Sequence, residues 1–490
     1  MEIEYMTFDN TYHKLPDRFY KEVTAERFSK PELLAFNENL SDDLGLNLGS
    51  QSDIELANFF SGQTLLKGSH PIALPYAGHQ FGHFVPQLGD GRAMLLGEIV
   101  NPDSKRFDIQ LKGSGQTFFS RNGDGKSAIG PVIREYILSE AMYHLGVPTT
   151  RALAAVATGD LVYREETVPG AVFTRIASSH IRIGTFQYFA AKDDLDGLKT
   201  LLDYSIQRHY PESGTNPAIS FLQKVIQAQV SLVSNWMSLG FIHGVMNTDN
   251  MSISGETIDY GPCAFMDQFN AHQVYSFIDR DGRYSYMNQG PILQWNLSRL
   301  ADCLIPLAHS DKKKAIEMLN SELATISDLF RNEWIERMKR KLGLVSGQAH
   351  ENDEKLITSW LDYLEKEELD FTLSFRKLEN LLVDNDNPSD SSFKQTTEFD
   401  TFKTAWTNRL KDQDLELAIV KEKMNGVNPI YIPRNHQVER AIQQAIVGDL
   451  SVFNEMNQVL KNPYVYQPNL DFYRVTPLPE EEVTTTFCGT

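Results

Sequence analysis

Cysteine is scarce, with three in 490 residues, at 263, 303 and 488. So few and so scattered, they exclude a disulfide framework and a structural zinc site, and they fit a reducing compartment. Excess positive charge is missing as well. Lys and Arg number 46 against 65 Asp and Glu, a formal charge of −19 that opposes approach to a nucleic-acid backbone or an anionic membrane. No apolar run nears the roughly 18 residues of a membrane span. The N-terminus, "MEIEYMTFDNTYHKL", has neither a secretory apolar region nor the Arg-rich, acid-poor character of a transit peptide. These absences lead to the expectation of a cytoplasmic protein whose main partners are neither nucleic acid nor membrane. Internal repeats and heptads are not evident, while 41% apolar residues are enough for a large core.

What is present divides unevenly along the chain. Between 85 and 112, "VPQL", the turn "GDGR", "AMLLGEIV", the loop "NPDSK" and "RFDIQLK" read as a small antiparallel sheet. "PVIREYILSEAMYHLG" opens on Pro131, repeats Ile133, Ile137, Ala141 and Leu145 at four-residue spacing and stops at Gly146, which predicts a helix. Strands follow around 151–163 and 171–176, and from about 193 the remainder is mostly helical, interrupted at 243–267. The polar stretch 384–399 predicts a loop or linker. The fold class is α+β, with a β-rich N-terminal part and a large α-rich C-terminal part.

Chemistry concentrates in "HGVMNTDNMSI", residues 243–253, which has the cadence of a kinase catalytic loop but carries Val245 where small-molecule kinases place their catalytic Asp. Just beyond, in "NMSISGETIDYG", a turn at Ser254-Gly255 would set Asn250 opposite Asp259, with Cβ atoms about 4.5–5.5 Å apart. An amide oxygen and a carboxylate so placed can share one Mg²⁺, a cation of hard oxygen ligands. Asp259 also begins "DYG", close to the D-F-G whose Asp holds Mg²⁺ in kinases. Lys112 ends an apolar strand and precedes the helical Glu135, the arrangement by which kinases fix a cation against nucleotide phosphates. Glu140 is the rival partner, on another face of the same helix; only one of the two can orient Lys112.

Two glycine clusters, "LGDGRA" at 88–93 and "GSGQTFFSRNGDGKSAIG" at 113–130, flank the lysine and can cradle phosphates on bare backbone amides, with Arg92 and Lys126 adding charge. The second nearly spells a P-loop, but Ser120 stands where the first glycine belongs. Arg175, His180 and Arg182 form a local basic group suited to phosphate, with structural salt bridges an equal alternative. His79 and His83 in "GHQFGH" lack the Glu of a zinc-protease helix and read as structural histidines.

Taken in order, "YAGHQFG", "LGDGRA", "QLKGSG", "SRNGDG", "REYILSEAM", "GVPTTRALA", "HGVMNTDNMSI" and "DYGP" resemble the selenoprotein O family of kinase-fold protein adenylyltransferases. "FTLSFRKL", "NPIYIPRNH" and the tail around Cys488 extend the resemblance over nearly the whole chain. It implies a two-lobed kinase-like fold, with an N-lobe of 1–190 and a C-lobe of 191–490 that carries the catalytic loop 243–261. It implies ATP as the nucleotide, Mg²⁺ or Mn²⁺ as the metal, and AMP transfer to Ser, Thr or Tyr hydroxyls of protein substrates. By motif, Asp249 is then the base and Asn250 and Asp259 are the metal ligands. Lys112, steered by Glu135, meets the phosphates, Arg175 and Arg182 grip the buried phosphate end, and Gly89, Gly91, Arg92, Asp124 and Gly125 complete the nucleotide site. Cys488 stands at the family's selenocysteine position. The alternatives are a kinase that uses Asp249 as a displaced base, and a silent ATP-binding scaffold.

Overall fold

The apolar strand "AMLLGEIV" suits a sheet covered on both faces, and it is buried at every position but the last. The structure, a computed structural model, describes residues 6–487 apart from 213, 346–350 and 383–392. Its main sheet has eight strands: β1 Lys21–Glu22, β2 Glu32–Phe36, β3 Ile72–Ala73, β4 Ala93–Val100, β5 Arg106–Lys112, β6 Ser127–Ala128, β7 Arg151–Tyr163 and β8 Thr167–Ala177. The order is β1-β3-β4-β5-β8-β7-β2, with β6 on β8, and every pairing is antiparallel. On one face Leu40, Leu56 and Phe60 cover Met94, Leu96, Ile109 and Leu111. On the other lies α1, Ile129–His144, whose Ile133, Ile137 and Ala141 meet Ala152, Ala155 and Phe173.

α1 starts two residues before Pro131, directly from β6, so the proline falls in the first turn, where a missing N–H leaves no hydrogen bond broken. It ends before Gly146, whose φ of 77° supplies the left-handed residue that commonly closes a helix. The "VPQL" strand is corrected. Only Val85 is in a strand, His83–Val85, which pairs with Gly78–Gln80 outside the main sheet. Pro86 cannot donate to a ladder, and Leu88 and Asp90 hydrogen-bond instead to the carbonyls of Tyr76 and Leu74.

The chain leaves the sheet through α2, Ile183–Ala190, then α3, Leu195–His209, and α4, Pro217–Ser238. Asn216 caps α4 by accepting from Ile219 N at 3.3 Å, with Pro217 at the first helical position. α4 and α5, Gln289–Ala308, share a large apolar core with α2. A second core gathers Trp360, Phe371, Phe402 and Trp406. The last helices, α6 Asn435–Ile446 and α7 Ser451–Leu460, return to α1, where Val438, Ile442 and Phe453 join the core of Ile133 and Phe173. The polar stretch expected over 384–399 ends earlier, because Thr396 caps a helix over Thr397–Lys411; 384–392 lie outside the described residues. Among the described residues no helix is long and apolar enough to cross a membrane.

Candidate active site

Strand alternation puts Gln110 and Lys112 on one face of β5, and the register that sets Arg175 of β8 opposite Gln110 adds Arg175 to the same face. α1 lays Glu135 over them. Lys112 Nζ donates to Glu135 Oε2 at 2.6 Å and to Asp259 Oδ1 at 2.7 Å. Arg175 donates to Glu135 Oε1 and Asp259 Oδ1, both at 3.1 Å, and to Gln110 Oε1 at 2.6 Å. Two cations thus converge on two carboxylates. Burial alone would raise the pKa of Asp259, but Lys112, Arg175 and Arg182 outweigh it and hold the carboxyl well below the usual carboxylate range. Asp259 also sits at φ 65°, a left-handed conformation that Asp tolerates better than most residues.

Glu140 faces the opposite way and is not the solvated glutamate that an idle helix face would carry. Its carboxylate accepts two bonds from Arg151 at 2.7 Å, one from Ala152 N at 2.9 Å and one from Asn37 at 2.8 Å, pinning β7 and the Asn37 helix cap. Removing it leaves Arg151 without its buried partner. Glu140→Ala is therefore expected to destabilise the fold by about 3–5 kcal/mol, read as a lowered midpoint in denaturant, while the turnover per folded molecule stays close to that of the parent.

The loop 243–253 is held from beneath. Phe241–Ile242 pairs with Ala264–Phe265, and buried His243 stacks on Trp236 and bonds the Ile258 carbonyl through Nε2 at 2.9 Å. Val245 faces the cavity but offers no acceptor. Asp249 lies in the single turn Thr248–Asn250 and is 6% exposed. Burial pushes its pKa up to about 6, against the pull of Arg182. Its Oδ1 has no hydrogen-bond partner among the described residues. Arg182 donates to the Asp249 carbonyl at 3.0 Å, lies 3.8 Å from carboxylates of both Asp90 and Asp259, and stacks over Tyr76 at 4.4 Å.

The hairpin expected at Ser254-Gly255 does not form. Gly255 N closes the turn onto Ser252 O at 3.2 Å, but Ser252 bridges Arg182 and Thr257 bridges Thr149, so other segments take the backbone groups that the ladder needed. Asn250 and Asp259 therefore do not face each other across strands. They still line the same cavity.

That cavity, of about 1260 Å³, is lined by every residue that the resemblance assigns to nucleotide, metal or catalysis except Glu135, which reaches it through Lys112. Its glycines are needed as glycines. A Cβ on Gly125 would stand 2.1 Å from Gly115 O, one on Gly91 2.9 Å from Phe119 O, and one on Gly89, at φ 88°, within the Phe119 ring. Asp124 is gripped at the rim by both guanidinium nitrogens of Arg164, which hold its carboxyl below the ordinary range. Lys126 lines the cavity and pairs with Glu26 at 2.8 Å, whereas His180 is buried on Asp108, its pKa down to about 4, and lies off the cavity. His79 bonds Gln187 while His83 is exposed, and no group of three or more metal-ligating side chains of the His/Cys/Asp/Glu type occurs among the described residues. Cys488 lies outside the described residues; Cys263 and Cys303 are buried. The sequence reading missed Asp90, whose carboxyl burial raises to about 6, although it sits inside "LGDGRA" between two singled-out glycines. It also missed Phe277, Thr486 and Phe487 at the cavity mouth, where the tail bridges Ser276.

A strand lysine fixed by a helix glutamate, a second carboxylate on the same lysine and a buried loop carboxylate are the arrangement of a nucleotide-dependent transferase. The chain belongs to the SelO protein adenylyltransferase family, whose family model matches residues 2–461. Relatives named protein nucleotidyltransferase YdiU agree along their full length. The one from Agrobacterium fabrum is 47% identical, covering 99% of this chain and 100% of its own. Those from Rhizobium rhizogenes and Bacillus cereus are each 49% identical, covering 100% and 98% of this chain and 98% of each relative.

Proposed function

We propose that this chain transfers AMP from ATP to Ser, Thr or Tyr hydroxyls of cytoplasmic proteins, on a two-lobed kinase-like fold. The sheet-bearing residues 1–190 form the N-lobe, joined by the returning helices α6 and α7, and the rest of 191–490 forms the C-lobe. One observation carries the reading: within 243–253 the one carboxylate at the cavity is Asp249, four residues beyond the usual kinase position, where Val245 stands. A group with a pKa of about 6 is ionised at neutral pH and still basic enough to take a proton, which suits a general base.

In this reading Lys112, Arg175 and Arg182 hold the β- and γ-phosphates at the closed, basic end, leaving the α-phosphorus toward Asp249. The acceptor oxygen bonds the α-phosphorus, its proton passes to Asp249, and the bond from that phosphorus to the pyrophosphate oxygen breaks. Asn250 and Asp259 supply hard oxygen donors that fit Mg²⁺ or Mn²⁺, and the buried, unpartnered Asp249 Oδ1 marks unspent acceptor capacity beside them. The metal would supply charge neutralisation at the phosphates. Catalysis otherwise rests on positioning and fixed charge.

The test is incubation of enzyme, a protein acceptor and Mg²⁺ with ATP labelled at either the α- or the γ-phosphorus. Label from the α-position alone is expected in the acceptor. Transfer of the γ-label instead would establish a kinase.

A further inference from the structure

The segment "GHQFGH" forms a hairpin, Gly78–Gln80 with His83–Val85, that lies directly on the loop carrying Asp249. His79 N donates to Thr248 Oγ1 at 2.7 Å and Phe81 N to Asn247 Oδ1 at 3.0 Å. Thr248 Oγ1 donates in turn to Gln187 Oε1 at 2.6 Å, and Gln187 Nε2 meets His79 Nδ1 at 2.8 Å. The two residues that precede Asp249 are thereby clamped from the N-terminal half of the chain.

The hairpin also touches Asp249 itself. Gln80 Nε2 donates to Asp249 Oδ2 at 3.4 Å, and it is the one side chain that does so among the described residues. An ionised carboxylate only accepts, so this contact requires the NH₂ end of the amide. Beneath the other oxygen lies Gly78, where a Cβ would stand 2.3 Å from Oδ1. Gln80 and Asp249 line the cavity side by side.

We propose that Gln80 is a positioning residue for the general base: its amide, with the bare backbone of Gly78, sets the plane of the Asp249 carboxylate toward the acceptor hydroxyl. The inference rests on Asp249 being that base. The terminal torsion of an Asp side chain has a broad, two-fold profile, so a carboxylate without a donor is free to turn. Proton transfer requires oxygens within hydrogen-bond reach, and small misplacements are costly in rate.

The experiment compares Gln80→Leu, Gly78→Ala, Asp249→Ala and the Gln80→Leu/Asp249→Ala double variant of the full chain. β-Casein, an unfolded Ser-bearing protein, serves as acceptor, thermal melting checks folding, and a fluorescent ATP analogue reports nucleotide binding. Gln80→Leu is expected to lower kcat by about ten- to a hundredfold with KM for ATP and nucleotide Kd unchanged, a split that a merely structural role would not give. Gly78→Ala, pressing on the other oxygen, should give the same split and serves if Gln80→Leu does not fold. In the Asp249→Ala background, Gln80→Leu should cost nothing further, because it acts through the carboxylate that is gone. Wild-type kcat in folded Gln80→Leu and Gly78→Ala, with Asp249→Ala inactive, overturns the inference, as does a full additional loss in the double variant. If Asp249→Ala itself keeps its kcat, the functional reading fails first.

Discussion

Asp249→Asn is expected to reduce AMP transfer to protein by about 10²–10⁴-fold, the contribution typical of a general base. The amide has the shape of the acid but cannot accept the proton. Asp249 is buried under the 78–85 hairpin with Oδ2 on Gln80 and Oδ1 unpartnered, so the amide can keep its oxygen toward Gln80 and set its NH₂ where the unpartnered oxygen stood, leaving one unpaired polar atom as before. The fold should therefore survive, and nucleotide binding, which we assign to Lys112, Arg182 and the glycine loops, should remain near that of the parent. The measurement is single-turnover transfer from α-labelled ATP beside equilibrium nucleotide binding. A folded Asp249→Asn enzyme with parental transfer would remove the base assignment.

A comparable loss is expected from Asp259→Asn. Asparagine also tolerates the left-handed φ of 65°, so the backbone is spared the strain that alanine would bring. What goes is the charge on which Lys112 and Arg175 converge, together with a hard anionic donor for a metal. Loss of such charge stabilisation at a polyphosphate costs several kcal/mol, or about 10³-fold in rate. Transfer should recover in part as Mn²⁺ is raised, because a weakened site fills at higher metal concentration. Parental activity at ordinary Mg²⁺ would contradict the metal assignment.

How much of this was legible in the sequence depended on how far apart the partners lie. The Lys112–Glu135 pair could be read because both belong to strongly periodic segments, a strand and a helix 23 residues apart. Its helix face could not be fixed by periodicity alone: Glu140 also points inward, and only the fold shows that Arg151 and Ala152 take it. The hairpin at 254–255 was misread because local turn chemistry was trusted where Arg182 and Thr149, distant in sequence, claim the same backbone groups. The clamp on Asp249 joins residues 169 apart and carries no local signature beyond a histidine spacing that suggested something else. The return of α6 and α7 to α1 is similarly a matter of which apolar faces meet, and helical patterns alone do not specify partners.

The central claim is that the α-phosphorus, not the γ-phosphorus, is attacked. Tandem mass spectrometry of an acceptor protein after reaction with enzyme, ATP and Mg²⁺ reads it directly. The account predicts Ser, Thr or Tyr residues carrying an adenylyl group, and none when Asp249→Asn replaces the parent enzyme. Residues carrying a phosphoryl group and no nucleotide would contradict it.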